Sequence, residues 1–172
     1  MKYLHLLRHS KSDWENTNLE DVERPLSKRG KKNARKLGKY IRDSEIVADT
    51  ALVSPSIRTK ETLEIIRKYS SISKNILFID EIYGADDSEL LKLIRELSAG
   101  IQIALLIGHN PGLEILGDYL LFGDKENPSF GDKENPSFAK FPTSAFLSLA
   151  IESEDWKDWG RSPARLIRFW IP

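Results

Sequence analysis

The sequence predicts a three-layer α/β domain with a mostly parallel central sheet flanked by helices. Short apolar runs alternate with helical segments along most of the chain, the βαβα order from which parallel sheets are built. One run, residues 101–107, is apolar almost without a break, as expected of a central strand buried on both faces. The length of 172 residues is enough for one real core and short for two, so residues 1–172 are expected to form a single domain.

Residues 2–7 (KYLHLL) form the first strand, which stops abruptly at Arg8-His9-Ser10-Lys11-Ser12. Ser27 precedes a basic helix over 31–42, whose Ala34, Leu37, Gly38 and Ile41 recur at helical spacing. Residues 51–53 are a short buried strand halted by Ser54-Pro55, and 56–69 form the next helix, with Leu63, Ile66 and Tyr69 on one side. A third strand covers 76–79. Asp86 and Asp87 read as capping groups, and Asp87 or Ser88 can start a helix that runs to Leu97. After the strand at 101–107, Gly108-His109-Asn110-Pro111-Gly112 leads into a helix over 113–122, with Pro111 suited to its first turn. Strands at 144–151 and 165–171 close the chain. Between them and the preceding helix, GDKENPSF at 123–130 is repeated without change at 131–138. Two copies of a polar, turn-rich octapeptide do not make a solenoid, and the segment is expected to be an exposed loop.

Lys plus Arg and Asp plus Glu both number 26, which argues against a broad nucleic-acid or membrane-binding surface while leaving room for a local cationic pocket. Cysteine is absent, so thiolate metal sites and disulfides are excluded. The apolar stretch near the N-terminus is shorter than the ~7–15 residues of a signal-peptide core, and no run approaches the roughly 20 residues of a membrane span. The expected location is the cytoplasm. Oligomeric state is left open.

Four side chains share one structural description. Arg8 and His9 follow the first strand, Arg58 begins the helix after the second, and His109 follows the run at 101–107. Ligands of open α/β sheets bind beyond the carboxyl ends of the strands. If these strands are parallel neighbours, the four side chains point into one mouth. A neutral imidazole is a good nucleophile near neutral pH, and a guanidinium holds phosphate oxygens in a fixed fork. Two Arg and two His, with helix N-termini after Ser54-Pro55 and Asn110-Pro111, describe a phosphate site. His5, inside the first strand, reads as a core residue.

These residues lie in segments that together resemble the histidine phosphatase superfamily, and within it the SixA-type phosphohistidine phosphatases. The segments are Arg8-His9-Ser10, Lys11-Ser12-Asp13-Trp14, Arg24-Pro25-Leu26 with Gly30, Ser54-Pro55 with Arg58 and Thr62, Glu81-Ile82-Tyr83, Gly108-His109-Asn110-Pro111 and Pro142-Thr143-Ser144-Ala145, in the family's order. Ser10 stands where the superfamily usually has Gly, so a side chain there is expected to narrow the approach to the nucleophile. The resemblance implies a phosphoglycerate mutase-like fold with a minimal cap, and a hydrolase that needs neither metal nor cofactor. It implies that His9 takes up a phosphoryl group and passes it to water while Arg8, Arg58 and His109, the last protonated, hold its oxygens. Glu81, after the third strand, is the candidate acid for the leaving group. Ser10, Lys11, Arg24 and Thr143 join Arg8 and Arg58 as candidate substrate contacts, although a surface salt bridge suits Arg24 equally well. The implied substrate is phosphohistidine in a protein. A small-molecule phosphate ester is the alternative within the enzyme class, and a non-enzymatic phosphoprotein-binding module the alternative outside it.

Overall fold

The computed structural model describes residues 1–123 and 140–172. From residue 124 on, the duplicated segment at 123–138 lies outside the described residues. The strands are β1 (Lys2–Arg8), β2 (Ala48–Val53), β3 (Ser73–Phe78), β4 (Ile103–Gly108), β5 (Phe146–Ile151) and β6 (Arg165–Trp170). They form one sheet in the order β3-β2-β4-β1-β5-β6. The first four of that order are parallel; β5 and β6 add antiparallel. The expected mostly parallel three-layer architecture is present.

Alternation along the strands divides the core. In β1, Leu4 and Leu6 join one apolar cluster with Leu106, Leu113, Leu147 and Trp156, while Leu7 joins the other with Leu37, Ile41, Leu105 and Ile107. Helices α1 (Lys28–Asp43) and α2 (Ile57–Arg67) cover the Leu7 face, and α3 (Asp87–Arg95) and α4 (Gly112–Phe122) the Leu4 face. Each fully buried Leu or Ile contributes about 1.5–3 kcal/mol. Among the described residues no helix is long and apolar enough to cross a membrane.

Local chemistry sets the boundaries. Ser27 accepts a hydrogen bond from the Gly30 N–H, so α1 starts at Lys28, earlier than periodicity suggests. Asp86 caps α3 in a reciprocal box with Glu89. Pro111 is the N-cap residue of α4, one position before the predicted first turn, and the Asn110–Pro111 peptide is cis. β2 begins three residues before the apolar run, at Ala48. The Asp49 carboxylate accepts from the N–H groups of Gln102 and Ile103 and from Lys74 Nζ, pinning a polar strand start to β4.

Register decides where the functional loops meet. Arg8 pairs with Gly108 and Val53 with Ile107, so β1, β4 and β2 end level with one another. Their three exits, at His9, His109 and Ser54, are therefore neighbours. The His9 N–H donates to Gly108 O and the Ser54 N–H to Ile107 O, carrying the ladder one residue past the strands.

Candidate active site

The exits of β1, β2 and β4 open into a cleft of about 530 Å3. Arg8, His9 and Arg58 line it, with Asp21, Glu114 and Phe141. His9 is buried, and its Nδ1 is 2.7 Å from the carbonyl oxygen of Ser10. A carbonyl only accepts, so Nδ1 carries the proton and the lone pair lies on Nε2. Desolvation lowers the His9 pKa to about 4; the bond to Ser10 opposes this, and the charges of Arg58 and Arg8 reinforce it. The neutral ring is therefore favoured, with its lone pair on Nε2.

The loop carrying His9 is tied down on both sides. The Ser10 N–H donates to Thr62 Oγ1, whose hydroxyl donates to Arg58 O, so the His9 loop is tied to the Arg58 turn of α2. The Ser144 N–H donates to both Arg8 O and His9 O, an arrangement reached by a positive φ of 69° at Ser144. The Ser10 side chain does not narrow the approach to His9. It is fully buried and points to Ser144 Oγ at 2.6 Å, away from the cleft, because the segment leading into β5 supplies a hydroxyl partner there.

Arg8 Nη1 donates to Phe141 O at 2.8 Å. Phe141 is held at both of its backbone groups: its N–H donates to Glu114 Oε2, and Asn110 Nδ2 donates to both Glu114 Oε2 and Phe141 O. Desolvation weighs against the Arg8 charge, and the Glu114 carboxylate supports it. Arg58 is oriented by Asp21. One terminal nitrogen donates to the Asp21 carboxylate at 2.8 Å and the other to the Asp21 backbone carbonyl. Tyr83 Oη donates to the same carboxylate oxygen at 2.7 Å. Burial alone would raise the Asp21 pKa, but the bonds from Tyr83 and Arg58 and the charges of Arg58 and Arg24 hold it below the usual carboxylate range.

His109 stands beside His9, ring centroids 5.0 Å apart, with Nε2 2.7 Å from Ser54 Oγ and the Tyr83 ring edge-on at 5.5 Å. Desolvation, then His9 and Arg58, lower its pKa to about 3. Burial first, and the neighbouring charges second, thus favour the neutral form of both rings in the free site.

The remaining expected residues divide. Lys11 and Thr143 line the cleft. Arg24 is not among its lining residues; its guanidinium stacks 4.1 Å from the centre of the Trp14 ring and lies 3.7 Å from Asp21. Glu81 is exposed on the 3-10 turn Asp80–Ile82 and does not line the cleft. The residue two places on, Tyr83, reaches the site instead. Asp21, Glu114, Ser54 and Ser144 were missed as parts of the site. Asp21 lies three residues before Arg24-Pro25, and Glu114 lies one helical turn after Asn110, the spacing at which side chains meet.

The family model of the histidine phosphatase superfamily (branch 1) matches residues 4–77, which contain Arg8, His9, Asp21 and Arg58. Among solved structures, the protein named SixA from Nakamurella multipartitia is 24% identical with a TM-score of 0.82, the alignment covering 99% of this chain and 96% of that one. SixA from Agrobacterium tumefaciens is 26% identical with a TM-score of 0.79, covering 99% and 98%. The protein histidine phosphatase SixA in complex with tungstate is 20% identical with a TM-score of 0.70, covering 97% and 95%. The part of the chain that carries Arg8, His9 and Arg58 thus resembles the histidine phosphatase superfamily. Over nearly its whole length the chain shares the fold of these SixA structures.

Proposed function

We propose that this protein hydrolyses phosphohistidine in a phosphorylated protein. The observation that carries the reading is the His9 ring, whose Nδ1–H is held by Ser10 O while the Nε2 lone pair is left for phosphorus. Nε2 attacks the phosphoryl group of a substrate imidazole already protonated on its other ring nitrogen; the P–N bond breaks, its electron pair returns to the departing nitrogen, and the substrate ring leaves neutral. Water then attacks phosphorus, the P–Nε2 bond breaks, and inorganic phosphate and neutral His9 are restored. Arg8 and Arg58 neutralise the phosphoryl oxygens, so no metal ion or cofactor is required in either step. An incoming phosphoryl dianion raises the proton affinity of His109, which then takes up the cationic role that the free site denies it.

The carboxylates in the cleft support a phosphoramidate over an alkyl ester. An alkoxide leaving group requires a proton donor. Asp21 is held ionised by Arg58 and Tyr83. In Glu114, Oε2 already accepts two N–H donors. An imidazole leaving group requires less help. The protein histidine phosphatase SixA, whose fold this chain shares, forms a complex with tungstate, a tetrahedral oxyanion like phosphate. The same reading takes residues 1–172 as one catalytic domain and, with cysteine absent, the cytoplasm as its place of action.

The test compares a chemically phosphorylated histidine peptide with an alkyl phosphate, using wild type and His9→Ala. Release of phosphate from the peptide by wild type alone is expected, with the alkyl ester turned over far more slowly. A faster alkyl ester would assign the enzyme to small phosphate esters. Equal rates for wild type and His9→Ala would remove both enzymatic readings.

A further inference from the structure

The catalytic cleft continues into a second groove of about 670 Å3, and the two share Lys11, Ser12, Trp14 and Arg29 as common walls. The groove is firmly built. Ser12 bridges Leu26 in antiparallel fashion, Asp13 N–H donates to Pro25 O, and Ser27 N–H donates to Lys11 O. Gly30 lets the first turn of α1 press on this strap, since a Cβ there would lie 2.1 Å from Lys11 O. Trp14 has 63% of its surface exposed, more than any other large hydrophobic side chain among the described residues. Its ring is nevertheless fixed, stacked by Arg24 and donating from Nε1 to Ser12 Oγ.

The charges around this wall run against local stability. Helix N-termini favour carboxylates and disfavour cations. The first turn of α1 contains no acidic residue, and Lys28 and Arg29 open it, both exposed. Among the described residues neither they nor Lys11 form an ion pair. Lys140 adds a further cation on the cleft rim. Asp13 and Glu15 also line the groove, with one Asp13 oxygen accepting the Glu15 N–H. A helix start that places unpaired cations against its own dipole, beside a fixed and exposed indole at the entrance to the nucleophile, is explained by a ligand that meets them.

We infer that this groove docks an acidic segment of the phosphorylated protein, its carboxylates meeting Lys11, Lys28 and Arg29 while an apolar side chain lies on Trp14. The inference rests on the phosphohistidine reading above and adds to it the chemistry of the flanking sequence. Residues that flank a phosphorylated side chain bound at His9 pass over the shared wall.

The test uses two phosphohistidine peptides of equal length, one flanked by Asp and Glu and the other by Gly and Ser, together with calorimetric binding of the unphosphorylated forms. Wild type is expected to show about tenfold higher kcat/KM for the acidic peptide, decreasing with salt. In Lys28→Glu/Arg29→Glu the ratio between the peptides is expected to fall to about one, and the same variant is expected to melt at a higher temperature, since it corrects the helix start. The ratio cancels any general loss of activity. Equal kcat/KM for the two peptides in wild type overturns the groove inference and leaves the phosphatase reading standing. Binding of the acidic peptide that depends on Lys28 and Arg29, without hydrolysis of either peptide, supports the groove and overturns the phosphohistidine reading. Neither binding nor hydrolysis overturns both. Inorganic pyrophosphate competing as tightly as the acidic peptide would assign the groove to a small bis-anion and overturn the docking inference.

Discussion

His5 and His9 lie on β1 and its immediate exit, and each is 7% exposed. Desolvation lowers both pKa values to about 4. Their surroundings then part. His5 Nδ1 meets Ser148 Oγ at 2.8 Å and its ring stacks on Phe146, between β1 and β5 inside the sheet. His9 gives Nδ1–H to a backbone carbonyl and lines a cleft flanked by Arg8 and Arg58. Burial and a depressed pKa are thus common to His5 and to the proposed nucleophile His9. What separates them is place: His5 bonds to Ser148 and stacks on Phe146 within the sheet, while His9 sits where the strand ends, between Arg8 and Arg58.

The two histidines should respond oppositely to removal. His9→Ala should lower kcat/KM for a phosphohistidine peptide by at least about 10³-fold with little change in fold, as removal of a nucleophile does. His5→Leu should keep kcat within about twofold but cost about 1–3 kcal/mol in denaturant unfolding, because the buried Ser148 hydroxyl loses its partner. A large kcat loss in His5→Leu would mean that the strand interior and its exit are not independent.

The cations and their holders distinguish the two surroundings further. Arg58→Lys should lower kcat by roughly 10²-fold, since a lysine cannot present two oriented donors to a phosphoryl group. Asp21→Asn should lower kcat/KM by about tenfold, by releasing the Arg58 fork. It should also move the acid limb of the pH–rate profile to lower pH, because the Asp21 charge raises the His9 pKa. A purely structural role for Asp21 would leave that limb in place.

The smallest effect is on stability as pH changes. The folded pKa values of both histidines lie below their reference value of 6.5. Between those limits the unfolded chain binds more protons, so stability rises with pH. It should be complete above pH 6.5 and decline as the pH falls to about 4, with His109, at about 3, extending the loss. His5→Leu should make that decline shallower, measured as the denaturant midpoint against pH.

The sequence made the strand exits legible because apolar runs end sharply there, and parallel pairing then brings Arg8, His9, Arg58 and His109 together. It did not disclose Asp21, which reaches Arg58 from a loop between elements, where no periodicity indicates direction. Glu81 and Tyr83 show the same limit at finer scale. Both belong to one short segment, but the 3-10 turn at Asp80–Ile82 leaves Glu81 exposed while Tyr83 bonds to Asp21. Ser10 was misread because its partner, Ser144, lies on the approach to β5, far away in sequence. The polar start of β2 was invisible to hydrophobic pattern, being secured by the hydrogen bonds of Asp49.

The decisive experiment is to trap the phosphorylated enzyme. Wild type is mixed with a phosphohistidine peptide, quenched in alkaline denaturant where the P–N bond survives, and mapped by mass spectrometry. One phosphoryl group on His9, absent from His9→Ala and never on His5, is the expected result. A phosphoryl group on another residue, or unimpaired turnover by His9→Ala, would contradict the assignment of His9 as the nucleophile.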